Sequence, residues 1–143
     1  MTAWAEINFE APPAWLGEAV EAVLRDFQQP RPIAIEWRYE PGDGRGTVWL
    51  RETADQHGTA FWIPEDTGDG AWFLLLLADR LQDQFFPETR GAWGEARPAC
   101  PGHPHPAHAV EVADEAWWTC PLDGRRIAGI GRLGQDSSTD PRS

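Results

Sequence analysis

The chain holds two cysteines, and each opens a segment of the same kind: Cys100-Pro101-Gly102-His103-Pro104 and Cys120-Pro121-Leu122-Asp123-Gly124. A metal-capable residue stands three positions after each cysteine, and proline follows each cysteine directly. Ligands at i and i+3 are the arrangement of a metal knuckle. Proline after the first ligand stiffens the turn. Glycine after the second lets the backbone turn and aim its amides at a thiolate. The chemistry on offer is therefore ligation of a soft or borderline cation by thiolate and imidazole, with zinc the expected ion. The N-terminal residues show neither a basic stretch nor a long apolar run, so no secretory signal is expected. In that setting two cysteines are read as thiols or ligands in preference to a disulfide, and a cytoplasmic location is expected.

Four ligands are wanted for a structural zinc. Cys100, His103 and Cys120 supply three. The i+3 position of the second knuckle is Asp123, a residue that structural zinc sites rarely use. His105 competes with it. Pro104 and Pro106 bias His103 and His105 toward extended backbone, and residues two apart in an extended segment share a face. The expected set is Cys100, His103, His105 and Cys120, with Asp123 as the alternative fourth ligand and His108 behind it. His57, far from this cluster in a turn, is expected to be solvated.

The sequence between and after the knuckles reads as strands. Residues 109–112 alternate, 113–115 turn, 116–120 return, and 125–130 can add a third strand. Knuckle, hairpin, knuckle, strand resembles the zinc-ribbon, rubredoxin-like knuckle family over residues 98–133. The resemblance implies a small β module and a structural metal, and no activity. A catalytic zinc would keep three ligands and an open position, with Asp123 or Glu115 as a general base. The likeness to the Cys/Cys/His set of deaminases is loose, because their His-x-Glu before Pro-Cys-x-x-Cys is absent. A small ribbon also has little wall from which to build a pocket.

The rest of the chain must position that module. A short strand is expected at 5–9. A helix from Pro12 and Pro13 to about Phe27 carries Leu16, Val20, Val23, Leu24 and Phe27 at helical spacing, and Pro30 and Pro32 end it. Strands follow near 33–39, 47–53 and 59–63, separated by turn-rich residues 41–46 and 55–58, and form an antiparallel meander. Thr67 or Asp69 is expected to cap a second helix over about 71–86. Its first two turns, from Trp72 to Leu77, are apolar all round, so it should be sandwiched, with the C-terminal module as cover. The fold class is α+β: an acidic domain over 1–90, the ribbon-like module over 91–133, and a disordered tail over 134–143. The order helix, three strands, helix resembles the double-stranded-RNA-binding domain in element order alone. That family needs basic residues where this chain has Asp69, Gly70 and Ala71.

Charge narrows the function classes. The net charge is -11, and all twelve basic residues are arginine. Residues 1–88 hold sixteen acids against six arginines, while residues 89–143 hold seven against six. A phosphate backbone is repelled by such a body, so nucleic-acid binding through Arg97, Arg125, Arg126 and Arg132 ranks last. Residues 71–78 are the longest apolar run and cannot span a bilayer. The glycine-rich 42–46 matches no phosphate loop. Glu65, Asp66 and Asp69 read as a solvated loop. What remains is a small zinc-stabilised interaction or regulatory protein with a protein partner. A zinc hydrolase or deaminase is the alternative. Trp49, Trp62 and Trp93 are candidate binding anchors, and the apolar second helix offers a surface for homo-oligomers.

Overall fold

A computed structural model of the 143-residue chain describes residues 4–28, 32–53, 58–64, 70–86, 96–102 and 105–133. His57, Glu65, Asp66, Thr67, Asp69, Trp93, His103 and the tail 134–143 lie outside the described residues. Among the described residues the fold is α+β, with two helices and two three-stranded antiparallel sheets.

Helix α1 spans Ala14–Asp26. Its Leu16, Val20 and Val23 sit on one stripe and are at most 1 % exposed. Strands β1 (Ile35–Pro41), β2 (Arg45–Glu52) and β3 (Gly58–Pro64) follow in simple meander order. Tyr39 of β1, Val48 and Leu50 of β2, and Phe61 and Ile63 of β3 turn inward to one core. Gly46 belongs to this sheet for a steric reason: a Cβ there would meet the Tyr39 ring. The opposite face carries polar pairs. Arg51 Nε donates to Glu36 at 2.9 Å, and Trp49 Nε1 to Glu40 at 2.9 Å. The expected strand at 5–9 is instead a 3-10 turn over Trp4–Glu6, followed by a single bridge from Glu10 to Tyr39. Trp4 packs under the Arg51 guanidinium, 4.0 Å from its ring centroid, and this covers part of the outer face.

Helix α2 spans Ala71–Arg80 and continues as a π-helical turn over Leu81–Phe85. Gly70 is its N-cap, in extended backbone and with no side-chain cap bond, in place of the expected Thr67 or Asp69. Phe73, Leu77, Ala78 and Leu81 are buried, and Leu74, Leu75 and Leu76 are half-buried. The helix touches α1 and two strands of the second sheet, β4 (His108–Val112) and β5 (Glu115–Thr119). Those contacts explain why, among its apolar side chains, the helix keeps only Trp72 largely exposed.

The second sheet runs β4-β5-β6, with β6 over Arg126–Gly129. Ala113 and Asp114 join β4 to β5 with φ of 52° and 67°. Two positive φ values in a two-residue loop match the right-handed twist of a hairpin. Trp118 is fully buried at the centre of the molecule and meets Phe27 edge-on at 5.7 Å. Core residues from both sheets and both helices form one continuous cluster.

Candidate metal centre

Two loops carry the candidate ligands, and each is closed by the same backbone bond. Cys100 N–H donates to the carbonyl of His105 at 2.9 Å, and Cys120 N–H to that of Arg125 at 2.8 Å. In both cases the cysteine amide reaches the carbonyl five residues on. Glycines with positive φ make the turns, Gly102 at 80° and Gly124 at 73°. Asp123 Oδ1 accepts the Arg125 N–H at 2.8 Å, so its carboxylate shapes the second loop.

Tertiary contacts hold the loops in place. Ala107 N–H donates to the Pro98 carbonyl at 2.8 Å, and Ala99 bridges to Pro106. Gln82, in the π-helical turn, donates to the carbonyls of both Arg97 and Ala107, at 3.2 and 2.8 Å. One side chain thus pins both ends of the Cys100 loop to α2. The Cys120 loop leaves β5 directly after a register shift between Trp118 and Thr119. That bulge interrupts the strand's alternation, and Trp118, Thr119 and Cys120 are all buried in succession.

The result is a cluster of Cys100, His105 and Cys120 whose ligand atoms lie within 4.8 Å of one another and could hold a metal ion. A tetrahedral zinc with bonds of ~2.3 Å places two thiolates ~3.8 Å apart, a spacing within the span of this cluster. The two cysteines are at most 1 % exposed. His105 Nδ1 lies 3.3 Å from the Pro106 carbonyl. A carbonyl only accepts, so that contact favours the tautomer with its proton on Nδ1. Nε2 then carries the lone pair that could ligate a metal, and it is shielded from solvent. Burial pushes the Cys100 thiol pKa up, and its hydrogen bond with the Cys120 thiol and the Asp123 charge add to the rise. Arg125 opposes it.

Of the sequence candidates, Cys100, His105 and Cys120 come together, and His103 lies outside the described residues. His108 begins β4, is exposed and stands apart from the cluster. Arg97 is 3 % exposed and donates to the Phe27 carbonyl, so it is an internal tie and offers nothing to a nucleic acid. Three cavities, of about 220, 210 and 690 Å³, are lined by none of the three clustered residues.

Sequence reasoning missed Asp26. This carboxylate is 1 % exposed and accepts from Trp118 Nε1, Gly131 N–H and Leu133 N–H, at 2.7, 2.5 and 2.9 Å. It ties α1 to the segment that carries Cys120. Its helical spacing from Ala19 and Val23 put it on the buried stripe, and that was the available signal. Comparison with protein-family models, curated proteins and solved structures returned no match. No helix among the described residues is long and apolar enough to cross a membrane.

Proposed function

We propose that this is a zinc-stapled interaction protein in which the metal is structural. The observation that carries the reading is the convergence of two buried thiols and one imidazole from loops far apart in sequence. Cys100, His105 and Cys120 are three of the ligands. His103 is the fourth, with Asp123 as the alternative. Two thiolates and imidazole favour zinc over harder cations, which prefer oxygen. The ribbon-like plan of the second sheet and its knuckles supports a structural role. So does the burial of both sulfurs, because a catalytic ion needs an open position beside a substrate pocket.

Metal ligation here would fasten the Cys100 loop to the end of β5, contributing on the order of 10 kcal/mol to folding of this part. The interaction role rests on the strongly acidic surface and on Trp62 and Trp72, which are 60 % and 57 % exposed. Native mass spectrometry with elemental analysis tests the metal. One zinc per chain, lost together with the fold of residues 98–133 on chelation, is the expected result. A chain that carries no metal, or one that keeps its fold and loses a catalytic turnover on chelation, would sink the structural reading.

A further inference from the structure

Cys100 and Cys120 are the only cysteines of the chain, and both are thiols in this structure. Within one chain, each therefore has a single available disulfide partner. They belong to loops on either side of the β4–β5 hairpin, yet their sulfurs lie within 4.8 Å and share a hydrogen bond. A disulfide needs its two sulfurs brought into bonding contact, and this pair starts as neighbours.

The closeness of the pair is built by contacts that involve no sulfur. Each cysteine amide bonds across its own loop, to the His105 or the Arg125 carbonyl. Gly102 and Gly124 make the two turns with positive φ. Gln82 and the bond from Ala107 to Pro98 hold the ends of the Cys100 loop, while β5 carries the Cys120 loop. These main-chain and amide bonds keep the thiols side by side when a ligated ion departs.

Two different links can thus join the same two points. In one, both thiolates and His105 share a metal ion. In the other, the sulfurs bond to each other. The links exclude one another, because zinc is held by thiolate and a sulfur in a disulfide has given up that charge. We propose that Cys100 and Cys120 form a redox switch, in which oxidation to a Cys100–Cys120 disulfide expels the metal and frees His105 while the two loops stay tied. The proposal assigns a regulation to the metal centre proposed above and rests on that reading.

Hydrogen peroxide is the oxidant, because both sulfurs are at most 1 % exposed and such a site suits a molecule little larger than water. One thiolate attacks a peroxide oxygen. An S–O bond forms, the O–O bond breaks, and hydroxide leaves. The second thiolate attacks the oxidised sulfur. The S–S bond forms, the S–O bond breaks, and a second hydroxide leaves. The two sulfurs together lose two electrons, the peroxide gains them, and two protons from solvent turn both hydroxides into water. The ion departs with its charge unchanged.

The full chain, loaded with zinc and then treated with excess hydrogen peroxide, tests the switch. A chromogenic chelator should report one zinc released for each disulfide formed. The denatured mass should fall two hydrogens below that of the reduced chain, and peptide mapping should join Cys100 to Cys120. A thiol reductant with added zinc should restore the original mass and metal content. The oxidised chain has exchanged one link for another, so it should melt above reduced chain stripped of zinc by chelation. Retained zinc with reduced thiols, disulfides between chains, sulfinic acid in place of a disulfide, or an oxidised chain that melts below the stripped one would each overturn the switch. All four results leave the structural metal standing. A chain that never takes up zinc removes the staple itself, and the switch falls with it.

Discussion

Cys120 and His105 sit where two loops meet, and each has neighbours that orient it. Cys120 follows a bulge that keeps it inside, and His105 is turned by the Pro106 carbonyl. Cys120→Ser and His105→Ala are therefore expected to abolish stoichiometric zinc binding and to cost several kcal/mol of stability. Cobalt substitution gives the check: the wild type should show thiolate-to-metal charge-transfer absorption, which both variants lose. Asp26 is the other decisive residue. Burial raises its pKa from the ordinary value near 3.8, outweighing the hydrogen bonds from Trp118, Gly131 and Leu133 and the Arg25 charge. As pH climbs past that ordinary value the unfolded chain gives up this proton first. The folded state then holds more protons, so the contribution of Asp26 to stability declines until the folded pKa is passed. Asp26→Asn leaves the Leu133 or the Trp118 and Gly131 donors facing an amide N–H₂, at a cost of about 1–3 kcal/mol. That cost should be largest near pH 4 and shrink toward pH 7. Urea denaturation of both proteins across this range decides it, and a cost that grows with pH would mean that the hydrogen bonds outweigh the burial.

Elements carry their own strains. The β4–β5 turn places Ala113 at φ 52°, where an L-residue with a Cβ is disfavoured by about 1–2 kcal/mol and asparagine is better tolerated. Ala113→Asn is expected to raise stability by about 1 kcal/mol and leave metal content unchanged, as read by thermal unfolding and elemental analysis. Gly131 is the opposite case. Its φ is 95°, a Cβ would approach the Ala22 Cβ of α1 at 3.2 Å, and its N–H holds Asp26. Gly131→Ala should therefore destabilise by about 1–3 kcal/mol and loosen the junction between α1 and the second sheet. Most elements were legible because their signals are local: the alternation of 33–39, the stripe from Leu16 to Phe27, and the turn residues of 41–46. The leading strand at 5–9 failed because Phe9 meets Trp4 across a 3-10 turn, a pairing that short-range alternation does not encode.

At the scale of the whole molecule, one core joins both sheets and both helices, with Trp118 at its centre. Wild-type protein with its metal should then unfold in a single calorimetric transition. Removing the metal should lower Tm and expose the Leu74 to Leu77 face of α2, because β4 and β5 cover it. Binding of a hydrophobic dye after chelation reads that exposure, and an unchanged dye signal with an unchanged Tm would contradict the staple. The sequence by itself determined the helices, the two meanders, the paired knuckles and the acidic character, since periodicity, turn residues and charge are written residue by residue. Only the tertiary structure decided that His105 joins the two cysteines while His108 stays outside, and that Arg97 and Asp26 are internal ties. Each of these depends on segments distant in the chain being brought together. Distance in space and burial are properties of packing, and no window of sequence contains them.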